Sequence, residues 1–219
     1  MDLDLDLDLV LFDMDGLVFD SETVYFEANQ IAAKELGLAN YTFDYYQQYI
    51  GAGDDAMIAG MIRDYGDEKV VAQFMERSKA LVHPLVKQGE LKIKPGFHEL
   101  VSYLKAKQTK IYLASSNFIS EINFFLENTG LSGTFDGIIS ADDVAKAKPA
   151  PDIFLAAWEK AGCPPKEKCL VLEDSLNGIK AANNAQLPVA MVPDCIAPND
   201  YARQNTVAIV ADLAKIKNL

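Results

Sequence analysis

Cysteine is scarce in this sequence. The three present, Cys163, Cys169 and Cys195, are odd in number and lack metal-type spacing. They argue against a disulfide framework and read as reduced thiols in a cytoplasmic protein. Positive charge is also in short supply: 20 Lys and Arg stand against 32 Asp and Glu, a formal net charge of −12. Nucleic acid and anionic membrane are poor main partners for such a chain, because phosphate backbones select positive surfaces. A small phosphorylated ligand stays open, since it needs only a locally positive pocket. No apolar run approaches membrane-spanning length, and no secretory signal is visible. What is abundant is apolar side chain, 50% of 219 residues. That is enough for one large domain, or for a core with a smaller domain inserted.

The stretch that organises the chain is Leu9-Val10-Leu11-Phe12-Asp13-Met14-Asp15-Gly16. A short apolar run stopping at turn residues reads as a buried strand. Its acids then stand at the carboxyl end, where open α/β sheets bind ligands. Strand alternation would point Asp13 and Asp15 the same way and Met14 the other. Two like charges that close need a cation, a shared proton or water. A cation is the reading adopted here, with Asp13 as nucleophile and Asp15 as its acid/base partner. A calcium loop also fits Asp13, Asp15, Gly16 and Glu22, but its first ligand would be Leu11 and a helix should precede it. An ordinary acidic turn is the blander alternative. Upstream, the alternation from Asp2 to Leu9 reads as a strand extension with a Leu face and an Asp face, or as a frayed end.

After Gly16 the pattern turns helical. Ser21 can cap a helix that Gly37 ends, and further helices are expected near Phe43–Ile50, Asp54–Tyr65 and Asp67–Val86. No convincing strand lies between Asp20 and Glu90. From Pro95 helices and strands alternate: a helix to about Gln108, strands at 110–114, 137–140 and 168–172 each followed by a helix, then strands at 189–192 and 207–210 and a terminal helix. This predicts a parallel sheet with helices on both faces. The expected division is a core of residues 1–17 and 91–219, with residues 18–90 inserted as a helical cap.

The strand ends carry the chemistry. The first ends in Asp13 and Asp15, the second in Ser115-Ser116-Asn117, and the fourth in Glu173-Asp174, while Lys148 follows the third. Strand ends on one edge of a parallel sheet converge. Carboxylates such as Asp13 and Asp174 suit Mg²⁺. Ser115 and the backbone N–H groups after it can hold phosphate oxygens, and Lys148 can neutralise phosphate and nucleophile together. Phosphoryl transfer needs mostly positioning and charge neutralisation.

In order and spacing, Phe12-Asp13-Met14-Asp15-Gly16, Leu113-Ala114-Ser115-Ser116-Asn117, Lys148-Pro149 and Leu172-Glu173-Asp174-Ser175 resemble the four motifs of the haloacid dehalogenase-like superfamily. The helical insert resembles that superfamily's cap, and the branch resembled holds β-phosphoglucomutase and small phosphomonoesterases. The resemblance implies an α/β fold with a Rossmann-like core, Mg²⁺ and an aspartyl-phosphate intermediate. It also implies metal binding by the side chains of Asp13 and Asp174, by the backbone carbonyl of Asp15, and by Glu173 through water. Asp15 favours phosphate chemistry over dehalogenation, which has no leaving alcohol to protonate. The mutases carry a cap histidine where this chain has Tyr25, and a cap-loop arginine where it has Gly53-Asp54-Asp55. The expectation is therefore a phosphatase acting on a sugar, polyol or nucleoside monophosphate. A β-phosphoglucomutase-like mutase is the alternative, and a phospho-accepting signalling domain is the rival of another class.

Other features invite over-reading. Gly51-Ala52-Gly53 loosely fits a dinucleotide fingerprint but follows no strand. His83 and His98 have no partnered ligands in sequence. Tyr41, Phe43, Tyr45, Tyr46 and Tyr49 are expected as packing aromatics rather than a substrate face. Lys146 is a weaker phosphate candidate than Lys148, and Arg63, Arg77 and Lys79 are expected on a solvated face.

Overall fold

The structure, a computed structural model, describes residues 6–51 and 53–219. In chain order the main elements are β1 (Leu9–Phe12), α1 (Ser21–Glu35), α2 (Phe43–Tyr46), α3 (Asp54–Tyr65), α4 (Glu68–Lys87), α5 (Phe97–Ala106), β2 (Lys110–Ala114), α6 (Ile119–Asn128), β3 (Gly137–Ile139), α7 (Asp152–Lys160), β4 (Cys169–Glu173), α8 (Leu176–Asn184), β5 (Val189–Met191), α9 (Asp200–Asn205) and β6 (Ala208–Ile209). The chain forms two compact units. One runs to Phe19 and resumes at Ile93; the other is Asp20–Lys92.

The first unit is a parallel sheet of order β3-β2-β1-β4-β5-β6. β1 is central, pairing Phe12 with Leu113 on one side and with Leu172 on the other. Both faces of β1 are buried, which is why it reads as an unbroken apolar run. Leu9 and Leu11 belong to a core with Ile153, Phe154 and Ala157 of α7 and Ile179 and Ala182 of α8. Phe12, from the other face, meets Phe97 and Phe135 edge-on at 5.9 and 5.8 Å. Strand order reverses direction between β1 and β4, the switch point where such sheets open a crevice.

The N-terminal repeat is partly seen. Asp2 to Leu5 lie outside the described residues. Beyond them Leu7 and Leu9 are buried while Asp6 and Asp8 are exposed. Asp8 N–H donates to Lys168 O at 2.9 Å and Lys110 N–H donates to Asp8 O at 3.0 Å, so ladder bonding starts just before β1.

The second unit is helical, with α1 packed on α4. Tyr41 and Tyr46 are buried in its core with Phe74 and Met61, Tyr25, Tyr45 and Tyr49 pack on them, and Phe43 is exposed. The α1 start differs from expectation. Asp20 occupies the cap position, its carboxylate accepting from Thr23 Oγ1 at 2.8 Å, and Ser21 is the first helical residue. Gly37 does end the helix, with φ +68°. Two corrections fall near the C-terminus. The terminal helix is a 3₁₀ segment, Leu213–Asn218, and α9 was not anticipated, because a six-residue polar helix shows little periodicity. Asn199 caps it by accepting from Ala202 N–H at 2.9 Å. No described helix is long and apolar enough to cross a membrane.

Candidate active site

The sheet brings the ends of β1, β2 and β4 to one edge. Beyond β1, Asp13 N–H donates to Leu172 O at 3.0 Å, so the chain stays locked to β4 for one more residue. The strand itself ends at Phe12, so Asp13 and Asp15 do not alternate as strand residues. Gly16 takes a left-handed φ of +72°, and Val18 and Phe19 N–H both donate back to Met14 O, closing a turn. Asp15 still lies near enough to Asp13 to act on its carboxyl.

Asp13 Oδ1 accepts from Lys148 Nζ at 2.5 Å, and the same ammonium donates to Glu173 Oε1 at 2.6 Å. The lysine lies over the Phe154 ring, 4.7 Å from its centroid, and precedes a cis proline, Pro149. Glu173 is fully buried. Its Oε2 accepts from Asp174 N–H, Ser175 N–H and Ser175 Oγ at 3.0, 2.9 and 2.9 Å. Gly178, in the first turn of α8, makes this possible: a Cβ there would stand 1.7 Å from Glu173 Oε1. Ser175 caps α8, its Oγ accepting from Gly178 N–H at 3.1 Å.

Asp15 Oδ2 accepts from Asn117 Nδ2 at 2.7 Å. Ser115 is buried, its N–H donating to Ile139 O and its Oγ accepting from Asn117 N–H at 3.1 Å. Ser116 is exposed, as is Lys146. His83 and His98 are exposed and make none of these contacts. Arg63, Arg77 and Lys79 pair with Asp64, Glu35 and Asp54 on the exposed surface of the helical unit.

Carboxylate oxygens of Asp13, Glu173 and Asp174 lie within 4.8 Å of one another. Burial pushes the Asp13 carboxyl up to about 8; Lys148 opposes the shift, while Glu173 and Asp15 add to it. Asp174 is held well above the ordinary carboxylate range by burial and then by Glu173, Asp13 and Asp194. Burial alone would lower Lys148, but Asp13 and Glu173 outweigh it and the ammonium is held charged. One ammonium thus serves three clustered carboxylates. The residual negative charge and the hard oxygen donors suit a divalent cation.

Sequence reasoning missed the residues flanking this cluster. Asp194, on the loop after β5, accepts at Oδ1 from Lys94 Nζ at 2.5 Å. Its position after a strand end was the available signal; Lys94 carried none.

These features define a class. A profile of the haloacid dehalogenase-like hydrolase family matches residues 10–192, and the chain belongs to that family. It is 32% identical over 217 residues to a probable pseudouridine-5'-phosphatase of Drosophila melanogaster, covering 94% of this chain and 90% of that one. It is 32% identical over 182 residues to a phosphorylated carbohydrates phosphatase of Thermotoga maritima, covering 82% of each. Among solved structures, a putative β-phosphoglucomutase from Thermotoga maritima superposes with a TM-score of 0.78 at 29% identity, covering 97% of both chains.

Proposed function

We propose that the chain is a Mg²⁺-dependent phosphomonoesterase that releases phosphate from a small phosphorylated metabolite through an aspartyl-phosphate on Asp13. One observation carries the reading: a buried carboxylate, Asp13, held 2.5 Å from a buried ammonium, Lys148, at the switch point of a parallel sheet. Asp13 and Asp174 fit side-chain ligation of Mg²⁺, and the Asp15 carbonyl is the further ligand that the family resemblance implies. When bound, Mg²⁺ would neutralise phosphate charge and hold the phosphoryl group in line. Glu173 is better suited to organising Lys148 and the Asp174–Ser175 backbone, because both its oxygens are already engaged.

The chain's own residues supply the remaining chemistry. Asp13 attacks phosphorus as the ester P–O bond breaks. Lys148 offsets the charge gathering on phosphate and nucleophile, and the Ser115 hydroxyl with the backbone N–H groups after it holds phosphate oxygens. Asp15, steadied by Asn117, gives its proton to the leaving alkoxide. It then takes a proton from the water that cleaves the acyl phosphate, returning Asp13 and releasing inorganic phosphate. We assign catalysis to the sheet unit and substrate choice to the helical unit, which resembles the family's cap. The relatives' names support sugar or nucleoside monophosphates as the substrate class. Tyr25 packs in the helical core and Asp54 pairs with Lys79, so neither position supplies the cation or imidazole of a mutase.

The test is phosphate release from a panel of sugar, polyol and nucleoside monophosphates, with and without Mg²⁺. Glucose 1-phosphate with a trace of bisphosphate is included. Metal-dependent release is expected. Isomerisation without release would replace the phosphatase with a mutase, and neither activity in a folded, metal-binding protein would favour a signalling or binding role.

A further inference from the structure

A second ionic device adjoins the proposed metal ligands. Asp194 lies on the loop after β5, beyond Val192 and Pro193, at the same sheet edge as Asp13, which directly follows β1. Its side chain is 9% exposed and Lys94 occupies Oδ1. The other oxygen faces inward: a Cβ built on Gly16 would stand 3.2 Å from Asp194 Oδ2 and 2.4 Å from Asp174 Oδ2. Two carboxylates therefore converge over one glycine, and any side chain there would separate them. Lys94 is itself fixed, since its N–H donates to Val18 O at 2.8 Å and neighbouring Ile93 bridges to Phe19. The pair thus joins the turn after Asp15, the Ile93–Lys94 segment and the loop after β5.

A structural staple explains Lys94 on Oδ1. It does not explain why Oδ2 stands next to Asp174, where like charges repel. Cys195 Sγ, 3.4 Å from Oδ2, is only a weak donor to it. Mg²⁺ usually keeps several waters, and these need acceptors beyond the direct ligands. We propose that Asp194, oriented by Lys94, is a positioning residue for the cation site of Asp13 and Asp174, with its Oδ2 accepting from a water of the cation's shell. This rests on the Mg²⁺ reading above.

The test is calorimetric titration of Mg²⁺ into the metal-stripped full chain, for wild type, Asp194→Asn, Lys94→Met, Lys94→Arg and the Lys94→Met/Asp194→Asn double variant. Asp194→Asn should weaken Mg²⁺ binding about 10- to 100-fold. Lys94→Met should weaken it too, although it removes a positive charge near the cation. The double variant should be no worse than Asp194→Asn, and Lys94→Arg should restore most of the affinity. Lower melting temperatures with unchanged Mg²⁺ affinity in both single variants would reduce the pair to a staple and overturn the proposal. Tighter binding in Lys94→Met would also overturn it, as mere through-space charge. Should Asp194→Asn not fold, Lys94→Met and Lys94→Arg decide alone. A wild-type chain that binds no Mg²⁺ would sink the metal reading itself, a result distinct from variants that bind like wild type.

Discussion

The ion pairs at the sheet edge and two surface pairs of the helical unit have nearly the same lengths and opposite surroundings. Lys148 lies 2.5 and 2.6 Å from Asp13 and Glu173, with side chains 8, 11 and 1% exposed. Arg77 lies 2.6 Å from Glu35 and Lys79 2.7 Å from Asp54, with every side chain at least 45% exposed. Distance does not rank these contacts; solvent does. Water screens an exposed pair and can replace either partner. In a dry pocket, removing one ion leaves the other uncompensated. The buried set therefore depends on every one of its charges, whereas the exposed set decorates a surface.

The largest break in that comparison should come from Asp13→Asn. Phosphate release is expected to fall to background, because an amide cannot act as the nucleophile. The metal-free protein should melt no lower than wild type at pH 8. Burial pushes Asp13 up to about 8, so a neutral amide avoids the cost of charging it there. Turnover above background would remove Asp13 from the mechanism. Lys148→Met comes next. Loss of an electrostatic stabiliser predicts a fall in kcat of about 10²–10³. Leaving Asp13 and Glu173 without their counter-charge should cost roughly 3–5 kcal/mol of metal-free stability, read by denaturant melts. Unchanged kcat would place the lysine outside the site.

Gly178→Ala sharpens the contrast from the backbone side. On an exposed helix this change gains up to about 1 kcal/mol. Here the new methyl would collide with Glu173 Oε1, so a loss of roughly 1–3 kcal/mol is expected from overpacking, with lower kcat as Lys148 loses its seat. A more stable variant would show that the Glu173 loop adapts freely.

Gly178 also marks where sequence legibility stops. The strand ends were readable because each apolar run stops at a polar residue: Phe12 before Asp13, Ala114 before Ser115, Leu172 before Glu173. Parallel topology then dictates that such ends share an edge. Helix ends were readable where glycine or proline punctuates, as at Gly37 and Pro95-Gly96. Pairings across the edge were not. Asn117 meets Asp15 and Lys94 meets Asp194 over separations of 102 and 100 residues. Only strand order and turn geometry bring those side chains together, and no local pattern encodes them. Asp15 shows the same limit: its charge reaches Asp13, as its place two residues on leads one to expect, but nothing local announces that Asn117 donates to its carboxylate.

A smaller effect should follow pH. Asp13 and Asp174 both titrate above the ordinary carboxylate value in the metal-free fold, Asp13 near 8. A raised folded pKa means the folded state holds its proton longer than the unfolded chain. The associated stability is complete below about pH 4 and is lost as pH rises through about 8. Mg²⁺ competes with those protons, so its affinity should fall at least about tenfold from pH 8 to pH 6.5. Calorimetry in buffers of different ionisation enthalpy would count the protons released. Affinity flat across this range would mean the carboxylates are already ionised without metal.

Arg77→Ala should have the smallest effect. The Arg77–Glu35 contact is bidentate, at 2.6 and 2.9 Å, and its geometry is as good as that of the buried pair. The arginine also holds Glu35 below the usual carboxylate range by a hydrogen bond, with burial opposing the shift. Yet both side chains stand almost half exposed, and water can solvate Glu35 once the guanidinium is gone. The melting temperature should therefore move by less than about 2 °C, the difference shrinking further at high salt. Phosphate release should not change. A drop comparable with that of Lys148→Met would mean that geometry, not solvent, decides the strength of these pairs.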